Sequence, residues 1–253
     1  AGSDLKVEVM EEKLLRDLTR EICSLLSTMA SSGLNNGIPP IEQSGHFYRV
    51  DVLSLKDLDA FASNSMVGFL LKHKDLALPA LQISLEAFTW TDGEAVTKVS
   101  SFCSAVVLLA IQSNNIELRQ FVSKDLFSAI IRGLALESNA VISADLVGLC
   151  REIFIYMCDR DPAPRQVLLS LPCITPQDLL AFEDALTKTA SPREQKQHMR
   201  SLLVLGTGNN LKALAAQKSV NVITNVSTRP RSSDNAPESR TEEGESIGLA
   251  AIS

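Results

Sequence analysis

Three histidines and five cysteines are the residues of this chain best suited to metal or nucleophilic chemistry; their spacing speaks against a metal site, and no local signature supports a Cys–His nucleophile. His46, His73 and His198 lie far apart, and no His or Cys stands at ligand spacing from another, so no metal site is signalled. Cys23, Cys103, Cys150, Cys158 and Cys173 form no CxxC pair, and each sits in or beside an apolar run. That pattern predicts reduced, buried thiols. Cys103 and Cys150 fall on the apolar faces of their helices, where a thiol is inert. Gly206-Thr-Gly-Asn-Asn invites a phosphate-binding reading, but no strand precedes it and no Lys-Ser/Thr follows, so Gly206 reads as a helix C-cap. Asn225-Val-Ser227 is a glycosylation sequon by pattern only. No acid/base or nucleophile cluster emerges, so the chain reads as neither an enzyme nor a cofactor carrier.

The basic residues are more suggestive. From Lys188 to Arg231, eight Lys and Arg face Glu194 alone, whereas the chain as a whole carries a net charge of −6. Within this segment Arg193, Lys196, Gln197 and Arg200 are spaced i, i+3, i+4, i+7, which places three cations and an amide on one helical face. Met199, Leu202, Leu203 and Leu205 supply apolar surface for docking that helix. Two readings stand: an ordinary solvated face, or a face that meets the phosphates of duplex RNA, which proteins read mainly through backbone and shape.

The elements that must carry these residues are helical. Val7, Met10, Leu14, Leu18, Ile22, Leu25 and Met29 mark one face of a helix from near Asp4 to about Ala30. Gly33 to Val50 reads as a long surface loop, and a helical region opens at Ser54 or Leu55. Leu76, Leu78, Leu81, Ile83, Leu85 and Phe88 make a run too apolar for a solvated surface. Trp90, the single tryptophan, closes that run, and Thr91 or Asp92 caps the next helix. The expected structural core includes Trp90, Phe88, Phe102 and Phe154, with packing favoured over base stacking for Trp90. Val96 to Ile111, Phe121 to Leu134 and Leu146 to Met157 each show helical apolar faces. Asp161-Pro162, Thr175-Pro176 and Ser191-Pro192 pair a capping residue with proline at the first helical position, and Ser191 with Glu194 fits a capping box.

Composition agrees. The chain is 45% apolar but only 5% aromatic, a mix that fits stacked helices. No uninterrupted apolar run of about 18 residues predicts membrane insertion. Val220 to Val226 alternates and reads as an extended arm. After Ser227 the composition turns to Ser, Pro, Arg and Glu, that of a disordered tail. The expected organisation is therefore a helical body over 1–218 and an arm with tail over 219–253, with no sequence repeat at a fixed period.

Two blocks carry a resemblance. Glu86-Ala-Phe-Thr-Trp-Thr-Asp92 and Pro192-Arg-Glu-Gln-Lys-Gln-His-Met-Arg-Ser-Leu-Leu-Val-Leu-Gly-Thr-Gly-Asn-Asn-Leu-Lys-Ala-Leu-Ala resemble segments near the C-terminal end of exportin-5 proteins, and most closely those of plants. These are karyopherin-β nuclear export receptors. The similarity runs from roughly Leu55 to Val226, and neither block is a catalytic signature. It implies an all-α, HEAT-like solenoid, partners in Ran-GTP, structured small RNA such as precursor microRNA and nuclear pore proteins, and shuttling between nucleus and cytoplasm. The family's main Ran-binding surface is N-terminal and would lie outside this chain. Family members are several times longer. Ala1-Gly2-Ser3 in place of an initiator Met suits a C-terminal piece of such a protein or an incomplete reading of its gene. A helical scaffold that binds proteins and no RNA is the competing expectation.

Overall fold

A computed structural model describes residues 2–31, 43–44, 47–48, 65–112 and 114–207. The expected opening at Ser54, the arm, the tail and the sequon lie outside these residues, as does most of the expected surface loop. Helices dominate: α1 (Gly2–Ser31), α2 (Met66–Lys72), α3 (Lys74–Ala87), α4 (Gly93–Gln112), α5 (Ile116–Gln120), α6 (Phe127–Leu134), α7 (Ser143–Met157), α8 (Ala163–Leu169), α9 (Pro176–Lys188) and α10 (Pro192–Thr207). A π-helical turn, Phe121–Leu126, joins α5 to α6, and a 3-10 turn, Glu137–Ile142, leads into α7. The expected loop also contains a small antiparallel ladder, β1 (Gln43–Ser44) with β2 (Phe47–Tyr48), where no strand is predicted.

The centre of the molecule is α4. From Val99 to Ile111 every residue of it is buried, and α1, α2, α3 and α7 pack around it. By length and composition α4 could cross a membrane, at a hydropathy of 1.6, but its apolar surface is taken up by these neighbours. Its start is punctuated as the sequence predicts. The Asp92 carboxylate accepts from the amides of Glu94 at 3.1 Å and Ala95 at 3.2 Å. The same carboxylate receives Arg20 Nε at 2.7 Å, which ties α1 to the head of α4. Burial pushes the Asp92 carboxyl up, but the bonds from Arg20 and the two amides outweigh it and hold it below the usual carboxylate range.

Two apolar faces point the unexpected way. On α1 the buried residues are Cys23, Leu26 and Ala30, while Val7, Met10, Leu14, Leu18 and Leu25 of the predicted apolar face are exposed. On α3 the small residues Ala77, Ala80, Ser84 and Ala87 turn inward, and Leu76 and Leu78 stand in solvent. Small side chains let α3 approach its neighbours closely, while Leu81, Ile83 and Leu85 are half-buried against the core. The signature corner follows α3. Thr89 and Trp90 donate backbone hydrogen bonds to the carbonyls of Glu86 and Ala87 at 2.8 and 3.1 Å. Phe88 is fully buried in this turn, whereas Trp90 is half-buried at the core's edge rather than inside it.

Candidate nucleic-acid interface

The basic stripe lies on α10, and the chain fixes that helix from two sides. Met199, Leu202, Leu203 and Gly206 form its buried stripe against α7 and α9. Leu205, expected to help dock the helix, is exposed instead, because it projects from the opposite flank. Gly206 is not the C-cap predicted from sequence. It lies within α10, where a Cβ would stand 2.7 Å from Leu171 Cδ1 and 2.9 Å from Ile174 Cδ1. The helix lies close against the segment between α8 and α9, and an added methyl would have to displace the ends of both side chains.

At the other end a buried polar group holds the first turn. Arg151, on α7, donates from Nη1 to the Pro192 carbonyl at 3.3 Å and to Gln195 Oε1 at 3.5 Å. Gln195 Nε2 in turn donates to the Thr189 carbonyl at 2.8 Å. Arg151 and its neighbour Glu152, 3.5 Å away, are both buried in an otherwise apolar helix. Sequence reasoning passed over this pair; the signal was an Arg-Glu dipeptide in the middle of the apolar run Leu146 to Met157. The expected Ser191–Glu194 box does not form among the described residues, and the Gln195 amide instead bonds the Ser191 carbonyl at 3.0 Å. The box appears at α9, where Thr175 and Asp178 cap each other reciprocally, and hydrogen bonds from Thr175 lower the Asp178 carboxyl below its usual range.

With the helix held in this way, Arg193, Gln197 and Arg200 are exposed and Lys196 is half-buried, on a face separate from the buried stripe. Neither Arg193 nor Arg200 forms an ion pair among the described residues. The face can donate hydrogen bonds and positive charge to an anionic backbone, and it holds no group suited to bond cleavage. Beside the first turn of α10 lies a cavity of about 370 Å³, bounded by Phe154, Cys158, Arg165, Glu183, Leu186 and Gln195 among others. Arg165 Nε donates to Glu183 at 2.5 Å, a bond that raises the guanidinium's pKa further. Burial pushes the Cys158 thiol up to about 12, so it is neutral.

The remaining candidate residues are placed plainly. Phe102 is fully buried in α4, and Phe154 is buried and meets Phe182 edge-on with ring centroids 5.1 Å apart. Cys23, Cys103, Cys150 and Cys158 are buried, and burial raises the pKa of each thiol. Cys173 is exposed, contrary to the expectation for all five, because it falls in the turn between α8 and α9. Among the described residues no group of three or more His, Cys, Asp and Glu gathers as metal ligands would.

Comparison with known proteins places these observations. The chain is 73% identical to Protein HASTY 1 of Arabidopsis thaliana over 238 residues, which is 94% of this chain but 20% of that protein. It is 31% identical to Exportin-5 of Dictyostelium discoideum over 90 residues, 36% of this chain and 8% of that one. No solved structure matches it. The chain thus spans about a fifth of the length of HASTY 1. The sequence model of the Exportin-5 family matches residues 1–218, and the chain, an all-α helical-repeat segment, belongs to that family.

Proposed function

We propose that this chain is part of a nuclear export receptor that shuttles between nucleus and cytoplasm, and that α10 forms part of its cargo-facing surface. Arg193, Lys196, Gln197 and Arg200 meet the phosphates of a structured small RNA, of the precursor microRNA type, in a complex that also requires Ran-GTP. Ran and the nuclear pore proteins are engaged mainly by regions outside residues 1–253, and the segment itself is a HEAT-type arc with no enzymatic step of its own. What carries the reading is the basic face of α10: three cations on a helix locked at both ends, two of them arginines without an ion pair among the described residues, in an acidic chain of the exportin-5 family.

Phosphate contacts position a duplex without reading its sequence. Replacing Arg193, Lys196 and Arg200 together by Ala should therefore weaken every duplex cargo by a similar factor. It should also flatten the dependence of affinity on salt, since each lost phosphate contact removes about one released counterion. The test is a titration of hairpin RNAs at several salt concentrations with the full-length receptor and Ran-GTP. An unchanged affinity and slope in the triple variant would return this face to ordinary solvated surface. The scaffold reading has one specific support, the cavity beside Gln195, whose wall combines Phe154 and Leu186 with the Arg165–Glu183 pair and which could receive a partner's side chain. It would gain if the triple variant bound RNA normally while Leu186→Asp lost a protein partner.

A further inference from the structure

The basic face of α10 has a complement on the same polypeptide. At about 100° per residue, Arg193, Lys196, Gln197 and Arg200 fall within an arc of roughly 100°. Its centre lies about 120° round the helix from the buried stripe of Met199, Leu202, Leu203 and Gly206. The single acidic residue of α10, Glu194, stands about 110° from that centre and so does not sit among the cations. Arg193 and Arg200 are exposed and form no ion pair among the described residues. Helix α1 has as dense a run of cations in Lys13, Arg16 and Arg20, but Asp17 stands within it, and Glu12 and Asp92 hold two of the three. Charge of the opposite sign is gathered beyond α10. Asp234, Glu238, Glu242, Glu243 and Glu245 follow one another with Arg240 as the one cation among them, and no Lys or Arg occurs from 241 to 253.

We propose that the acidic segment from Asp234 to Glu245 is the resting occupant of the basic face of α10, held there by charge and displaced when RNA binds. Reach is no obstacle. Helix α10 ends at Thr207, and roughly 34 residues separate it from Glu242, enough to span about 110 Å when extended. Arg200 lies only about 10 Å back along the helix from Thr207, and Arg193 about 21 Å. Contacts between exposed charges are weak one by one. Attachment to the same chain offsets that weakness, because a connection of this length presents the segment at an effective concentration on the order of a millimolar. A separate acidic molecule would have to reach that concentration to compete, which selects the chain's own segment as the occupant. Carboxylates and phosphates seek the same donors, so the segment and a duplex exclude each other from this face. That consequence rests on the RNA reading of α10; the contact itself does not. The segment then acts as a filter: an anion that meets α10 alone fails to displace it, whereas a duplex gripped at other points of the receptor succeeds.

The test couples the two surfaces chemically. In the full-length receptor, Arg193→Lys with Arg200→Lys keeps both charges and supplies amines, and a water-soluble carbodiimide joins an amine to a carboxylate in contact with it. Peptide mapping should recover links from position 193, 196 or 200 to the carboxylates of 234–245. They should disappear at about 0.5 M salt, where screening acts within about 4 Å. In a mixture of isotope-labelled and unlabelled protein, each link should join peptides of the same label. No link, links only to carboxylates outside 234–245, or links between labels would overturn the proposal. The consequence is read by titrating a hairpin RNA in the presence of Ran-GTP. Asp234→Asn with Gln at positions 238, 242, 243 and 245 should tighten binding about two- to fivefold at about 0.1 M salt, as for a competitor that fills half to four-fifths of the face. It should also steepen the salt dependence, since salt no longer weakens a competitor as it weakens the RNA contact. With Arg193, Lys196 and Arg200 all replaced by Ala, the same neutralisation should change nothing. If that triple replacement by itself leaves RNA binding intact, the RNA reading of α10 has failed and the cross-links alone decide the contact. If it weakens binding while the neutralised segment has no effect, the competition is refuted.

Discussion

Phe88→Ala should be among the most damaging single changes in the signature corner, and Trp90→Ala should cost less although it removes the larger ring. Phe88 is fully buried, and its ring fills the space left free by Gly133 of α6, where an added methyl would meet Phe88 Cδ1 at 3.0 Å and Cβ at 3.2 Å. Truncating it forfeits the transfer free energy of the ring and leaves a cavity that α3 and α6 can close only in part, at about 3–5 kcal/mol. With a urea m-value of about 2 kcal/mol/M the midpoint of unfolding should fall by about 2 M. Trp90 sits at the edge of the core, where water takes the place of the lost ring and no closed cavity remains. Its truncation should cost about 1–3 kcal/mol, mostly lost apolar burial. The geometry also predicts coupling. Gly133→Ala alone should destabilise, because its new methyl presses on Phe88, and in the Phe88→Ala background the part of that penalty due to Cδ1 should vanish while the 3.2 Å contact with Cβ, which alanine keeps, remains. The assay is a double-mutant cycle by urea denaturation followed by far-ultraviolet circular dichroism. Equal or greater cost for Trp90→Ala, or strict additivity of Phe88→Ala with Gly133→Ala, would refute this account of the corner.

Other consequences are open to direct measurement. In the native chain only Cys173 should react quickly with a thiol reagent, since the other four thiols are buried; more than one fast equivalent would contradict this packing. The Asp92 carboxyl is held below its unfolded value, so its contribution to stability is fully present above about pH 4 and is lost as pH falls through the lower, folded pKa. The stability gap between the native chain and Asp92→Asn should therefore close on acidification, and a gap that widens would reverse the sign of the argument. Arg151→Met alone should cost about 3–5 kcal/mol, because it takes the guanidinium away from buried Glu152, whereas Arg151→Met with Glu152→Leu should be close to neutral in a denaturation curve.

Much of the fold was legible, and the failures share a cause. The extent of α1, the start of α9, the cap at Asp92 and the thiol-bearing face of α7 follow from helical periodicity, capping chemistry and proline placement, which are local signals. What could not be read was which of two apolar faces packs inside this chain. On α1 the stripe with the best periodicity is the exposed one, and the true core face is the sparser set Cys23, Leu26 and Ala30. On α3 Leu76 and Leu78 of the conspicuous run face solvent, the fully buried positions are alanines and a serine, and Leu81, Ile83 and Leu85 are half-buried against the core. A helix of a repeat protein has two interfaces, and periodicity reports both without ranking them. The same limit applied to Gly206. Its place near the end of an apolar run fitted a cap, and only the approach of Leu171 and Ile174 shows a packing role. The π turn at Phe121–Leu126 left no sequence trace, since one extra residue in a turn hardly disturbs an apolar face.

The candidate interface was legible as a face but not as a direction. Spacing alone puts Arg193, Lys196, Gln197 and Arg200 on one side of a helix; it says nothing of what holds that helix against its neighbours. The structure answers with a polar group. Apolar residues at 151 and 152 together would have filled the same places at little cost in stability, since buried ion pairs seldom outperform well-packed hydrocarbon. The guanidinium there instead reaches the Pro192 carbonyl and the Gln195 side chain, and Gln195 reaches back to Thr189. Apolar contacts tolerate sliding and rotation, whereas directional bonds to a first turn fix both. On the proposed reading that is the property an RNA-facing helix needs. Phosphates stand at set intervals, and cations that wander about the helix axis lose more in ordering than they gain by contact. On that reading the buried Arg151 belongs with the exposed cations as part of one arrangement. In the apolar double replacement at 151 and 152, stability should survive while the salt dependence of RNA binding flattens. If the salt dependence stayed intact in that variant, α10 would be oriented by its apolar stripe alone.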